Sequence, residues 1–163
     1  MADTKISAQT DGTRLSVNDE IPVSRAGVAY RAKAVESGTF TPTIAFGGAA
    51  VGVTYTTQIG RWQRIANRVF FNIFIVLSAK GSSTGSLTVG TLPVAAEATA
   101  SNFQALAVRP AVLSSISGAV VANVSPGGTT IAVHQTTTGT TSALTEVNLN
   151  NTSQLMISGS YEV

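Results

Sequence analysis

Apolar and polar residues alternate with a period of two along much of this chain, and that alternation predicts strands. The clearest instance runs from Gln58 to Ser78. Gln58–Ile65 and Arg68–Ser78 read as two strands joined by Ala66-Asn67, since Asn tolerates the left-handed conformation that such a turn requires. A two-residue loop fixes the register, so Ile65 opposes Arg68, Trp62 opposes Phe71 and Gly60 opposes Ile73. One face of the pair then carries Trp62, Val69, Phe71, Ile73, Ile75 and Leu77, which is a core face. The other carries Ile59, Arg61, Gln63, Arg68, Phe70, Asn72, Phe74 and Val76. Phe70, Phe74 and Val76 are too apolar to leave in water, since burying each contributes about 1.5–3 kcal/mol. A second covering surface is expected, from another sheet layer or another subunit. Ile59, Phe70, Phe74 and Val76, with Arg61 and Arg68, are therefore the candidate subunit-interface residues.

Upstream, Phe40, Pro42, Ile44 and Phe46 share one face by the same period, and Gly47-Gly48 ends the run. Downstream, Lys80–Gly85 is a loop, and Ser86–Gly90 and Phe103–Arg109 are further strands punctuated by Pro93 and Pro110. Gly118–Val124 and Thr129–Gln135 form a hairpin around Ser125-Pro126-Gly127-Gly128. Thr136–Thr141 reads as a loop, and Leu144–Leu149 and Gln154–Tyr161 as the last strands. Glu97–Leu106 is the one stretch where a helix is hardest to exclude. Strands at this spacing, with Gly, Pro and Asn between them, predict an all-β protein, an antiparallel β-sandwich or jelly roll.

Charge divides the chain. Residues 1–36 hold five of the eight acids and five of the ten bases. Residues 1–36 are therefore expected to be an extended arm and 37–163 the folded knob. Within the arm, Glu20–Arg25 and Val28–Lys33 predict a β-hairpin turning at Ala26-Gly27, where Gly27 supplies the positive φ of a tight turn. Pro22 confines its strand to an edge. An isolated hairpin is marginal in water, so the arm needs a surface to dock against.

Composition agrees with the strand reading. Only 11% of residues are charged against 44% hydrophobic, which argues against disorder. Thr, Ser, Gly, Val and Ala take the place of the usual helix builders. Net charge is +2, and Arg61, Arg64 and Arg68 form a hairpin end or an intersubunit contact rather than a nucleic-acid stripe. No nucleic-acid partner is expected. The absence of cysteine excludes disulfides and thiolate metal sites. Met1-Ala2-Asp3-Thr4-Lys5 leads into no apolar signal core, and the longest apolar run, Val69–Ala79, is broken by Asn72 and Ser78. A chain made in a cytoplasm, with no signal peptide and no membrane insertion, is expected.

Catalytic chemistry finds little support. His134 stands alone in a strand-like run with no acid beside it in sequence. The acids of 37–163 are Glu97, Glu146 and Glu162, of which two could meet as a glycosidase pair. Gly81-Ser82-Ser83-Thr84-Gly85 lacks the Lys-Ser/Thr ending of a phosphate loop. No catalytic residue, no cofactor and no metal ligand is assigned, and the chain is expected not to be an enzyme. Tyr55, Trp62 and Tyr161 are the aromatic platforms open to a glycan, although Trp62 shares a face with Phe71 and reads more simply as core.

The combination Gly38-Thr39-Phe40-Thr41-Pro42, Gln58-Ile59-Gly60-Arg61-Trp62, Ala66-Asn67, Lys80-Gly81 and Leu92-Pro93 resembles a module of phage tail-fibre and tailspike proteins. Ala66 stands where that module usually has Gly. Lys5-Ile6-Ser7-Ala8 and Asp19-Glu20-Ile21-Pro22-Val23 look like the virion-anchoring start of similar phage structural proteins. The resemblance covers residues 1–93 and carries no catalytic residues. It implies a trimeric β-sandwich or jelly roll exposed on a virion, docked through residues 1–36 onto other phage structural proteins.

The expected function is thus a short tail fibre or spike whose homotrimeric knob adheres to a host-surface glycan. A capsid decoration or head-fibre (cement) protein is the alternative, favoured by the shortness of the chain. A small polysaccharide depolymerase is the third.

Overall fold

The computed structural model describes residues 20–25, 28–33 and 35–163. The chain divides into two units, Met1–Glu36 and Ser37–Val163. In the first, β1 (Glu20–Arg25) and β2 (Val28–Lys33) pair antiparallel, with Glu20 opposite Lys33 and Arg25 opposite Val28. The expected turn at Ala26-Gly27, the Lys5-Ile6-Ser7-Ala8 segment and Asp19 lie outside the described residues.

The second unit is all-β, as the alternation predicts. Its strands are β3 (Glu36–Phe40), β4 (Thr43–Phe46), β5 (Val53–Ile65), β6 (Arg68–Lys80), β7 (Leu87–Gly90), β8 (Gln104–Leu113), β9 (Ala119–Val124), β10 (Ile131–Thr137), β11 (Thr140–Ala143) and β12 (Leu149–Glu162). They form one ten-stranded antiparallel sheet in the order β3-β5-β6-β12-β8-β9-β10-β7-β4, with β11 attached to β10. The sandwich or jelly-roll expectation is corrected here to a single sheet curled strongly into a half-barrel. Two features produce the curl. Strand β8 serves both halves: Gln104–Leu106 pair with β9, while Ala107–Leu113 pair with β12. The sheet's two outermost strands, β3 and β4, are separated by only Thr41 and Pro42, so the chain itself holds one edge of the sheet next to the other.

The concave side holds the core. Val69, Phe71, Ile73, Ile75 and Leu77 of β6 meet Leu155, Ile157 and Tyr161 of β12 and Ile44, Phe46, Leu87, Val89, Val124, Ile131 and Val133 from the other half. All are buried, in the period-two pattern that strands impose.

Several local expectations shift. The Phe40–Phe46 run breaks at Thr41-Pro42 into two strands, yet Pro42, Ile44 and Phe46 all stay buried. Pro110 lies within β8 rather than ending it. It pairs with Leu155 on one side only, beyond the stretch that pairs with β9, an edge-like position where proline is tolerated. The Thr136–Thr141 loop is the end of a tight β10–β11 hairpin, with hydroxyl pairs Thr136–Thr141 and Thr137–Thr140 at 2.8 Å each. The expected Leu144–Leu149 strand contains a 3-10 turn at Glu146–Asn148. There the buried Asn148 amide is saturated by the Thr145 N–H and by the carbonyls of Ser114 and Ser115. The exclusion of a helix over Glu97–Leu106 stands: residues 97–103 are a loop, and Gln104–Leu106 begin β8.

Candidate subunit interface

The β5–β6 pair has the register set by its two-residue turn: Ile65 faces Arg68, Trp62 faces Phe71 and Gly60 faces Ile73. Strands β12 and β8 extend it, so β5, β6, β12 and β8 lie side by side. With inward positions committed to the core, the alternate positions line the convex side in rows. Ile59, Phe74, Met156 and Arg109 form one row, and Arg61, Asn72, Ser158 and Ala107 the next. Gln63, Phe70 and Ser160 follow, and Thr57, Val76, Gln154 and Ala111 flank the first row on its far side.

No strand or loop of this unit covers these rows. Ile59 is 48% exposed, Phe70 44% and Met156 38%, while Phe74 and Val76 are half-buried against their neighbours. A second sheet layer within the unit, one of the two expected sources of cover, therefore does not lie over these rows. Ile59, Arg61, Phe74, Ala107, Arg109 and Met156 line an open groove of about 600 Å³. Its floor is apolar and its rims carry two exposed guanidinium groups. Arg109 reaches only the Met156 sulfur, at 3.8 Å. Arg68, the remaining candidate, is committed within the chain: it forms an ion pair with Glu162 at 3.2 Å and donates to the Ser160 hydroxyl at 3.2 Å. Sequence reasoning missed Met156 and Arg109, because their membership depends on β12 and β8 lying beside β6, a pairing no local pattern reveals.

The three aromatic candidates for glycan contact are differently placed. Tyr161 is fully buried, packed edge-on against Phe71 with ring centroids 5.7 Å apart, and its hydroxyl donates to the Val94 carbonyl at 2.9 Å. Burial pushes its phenol up to about 12. It is a core residue with no surface to offer a ligand. The Tyr55 hydroxyl accepts the Ile44 N–H at 2.7 Å, and burial raises its pKa. It thereby satisfies a donor on β4, at an edge of the sheet. Trp62 is half-buried against the core, with β3 lying over its indole at Gly38.

Among the carboxylates, Glu97 and Glu162 do come together, bridged by the Asn102 amide at 3.3 and 3.1 Å. The Thr99 hydroxyl, then the Thr99 N–H and the Asn102 amide, hold the Glu97 carboxyl below its ordinary range. A glycosidase acid needs the opposite shift. Glu146 is likewise lowered, first by the Gly85 N–H at 2.8 Å. His134 lies in mid-β10 opposite Val121 and Ala143. Among the described residues no group of three His, Cys, Asp or Glu could hold a metal ion, and no helix is long and apolar enough to cross a membrane.

No family model and no curated protein matches the sequence. Among solved structures, the fold is similar to part of the Dettilon tailspike protein, with a TM-score of 0.67 and 21% identity over 78% of this chain. The matched part amounts to 24% of that tailspike chain, so this chain spans about a quarter of its length. The likeness is one of fold, and it agrees with the tail-fibre and tailspike resemblance of residues 38–93.

Proposed function

We propose that this chain is a non-enzymatic structural protein of the phage particle surface, a short tail fibre or spike. Residues 1–36 dock onto another phage structural protein. Residues 37–163 assemble as a homotrimeric knob that adheres to a host-surface glycan, where weak single sites gain avidity from multiple display.

The observation that carries this reading is the convex face of β5, β6, β12 and β8. It presents Ile59, Phe70 and Met156 uncovered beside Phe74 and Val76. A contiguous apolar strip of this kind is unusual on a monomer and usual at an interface. The tailspike-like fold and the Gly38–Pro42 and Gln58–Trp62 motifs support the same reading.

Two measurements test it. Light scattering at micromolar concentration gives a trimer mass on this reading, and a monomer mass defeats it. Imaging of purified particles places the protein at the tail in a few dozen copies or fewer, whereas hundreds of copies over the capsid would make it a decoration protein.

A further inference from the structure

We infer that the convex groove takes a second copy of this chain head to tail, receiving that copy's 97–103 loop rather than its groove. The inference deepens the homotrimer reading and rests on it.

A charge inventory of residues 37–163 leads to it. Of the five cations, Arg68 is paired with Glu162, and Lys80 donates to the Glu146 carbonyl at 3.0 Å and lies close enough to lower its carboxyl. Arg64 donates to the Ala66 carbonyl at 2.9 Å. Arg61 and Arg109 remain, with no carboxylate partner among the described residues, and both line the groove. A twofold contact would set the groove against itself. Four guanidinium groups would then face one another across an apolar floor with no acid between them, an arrangement that like-charge repulsion disfavours. The groove must meet a different surface of its mate. Such heterologous contacts close into rings when the rotation allows, and a trimer is one of them.

The complementary surface follows from the same inventory. Of the three carboxylates, Glu162 is held by Arg68, and Glu146 by Gly85 and Lys80. Glu97 alone accepts only from neutral donors, Thr99 and Asn102. The same loop ends at Phe103, which is 62% exposed. A phenyl ring and an ionised carboxylate on one loop match an apolar floor between two guanidinium groups.

Charge exchange in the full chain tests this by light scattering and sedimentation, with circular dichroism as the folding control. Arg61→Glu/Arg109→Glu and Glu97→Arg are each expected to weaken association about tenfold or more, and the triple variant to recover most of the loss. Phe103→Ala, at an exposed position, is expected to weaken it as well. A folded wild-type trimer whose mass resists both charge reversals would overturn the inference and leave the homotrimer standing. So would a triple variant that merely sums the two losses, or an undiminished Phe103→Ala trimer. A monomeric wild-type chain would overturn the homotrimer reading itself.

Discussion

At Tyr161 the fold favours a neutral phenol. The ring is buried against Phe71, the hydroxyl serves Val94, and burial pushes the folded-state pKa up to about 12 from the ordinary 10.0. A raised folded pKa leaves its contribution to stability whole below the unfolded value. Stability then falls as pH rises from about 10 toward 12, because the unfolded chain gives up its proton first. Tyr161→Phe keeps the ring and loses the hydrogen bond, so we expect about 1 kcal/mol less stability at neutral pH. Its loss of stability in alkali should be shallower than wild type, though not absent, since Tyr55 is raised too. Thermal melts from pH 7 to 12 check both signs. Ala66 offers the contrary case. The sequence pointed to Asn67 as the left-handed turn residue, but Ala66 takes the positive φ, at 54°. The strain falls where the resembled module carries Gly. A left-handed L-residue costs roughly 1–2 kcal/mol, of which glycine's extra chain entropy takes back about 0.5–1. Ala66→Gly should therefore raise the denaturant midpoint, by up to about 1 kcal/mol in stability, at an unchanged m-value.

Between elements, the motif residues find a mechanical meaning. A Cβ at Gly60 would lie 2.5 Å from the Phe40 ring, and one at Gly38 would lie 2.9 Å from the Trp62 indole nitrogen. Each aromatic ring thus lies over the glycine of the neighbouring strand, and Gln58 completes the lock by donating to the Pro42 carbonyl at 2.9 Å. Gly60→Ala is expected to cost about 1–3 kcal/mol, the usual range for overpacking. In a Phe40→Ala background the same change should cost clearly less, because the clash has gone; chemical denaturation of the four-member cycle reads the difference. The β5–β6 register was legible because a two-residue turn leaves one alignment. The break between β3 and β4 was not. Phe40, Pro42, Ile44 and Phe46 keep one inward period straight through Thr41-Pro42, so alternation alone cannot tell one strand from two. Pro110 misled for the converse reason: a proline is shut out of a strand paired on both sides, and at Pro110 the strand has a partner on one side only.

For the unit as a whole, strand content and inward faces were legible, but closure was not, since a sandwich and a curled sheet share the same alternation. What separates them is the division of β8 between β9 and β12, a pairing across distant sequence. The convex face was read from β5 and β6 alone, and its other half, Met156 and Arg109, needed that pairing. Its energetic consequence can be measured without knowing the partner's geometry. Ile59 and Phe70 leave much of their burial unrealised in an isolated subunit, because they stay 48% and 44% exposed. If a second copy covers them, their burial is gained on association, and association that stabilises only the folded state makes the melting temperature rise with protein concentration. Wild-type protein should show that rise over a hundredfold dilution series. Ile59→Thr/Phe70→Thr should flatten it, while its melting temperature at the dilute end falls much less than at the concentrated end. An equally large drop for the double variant at every concentration would mean instead that these side chains support the subunit's own fold, and the convex face would lose its claim to be an interface.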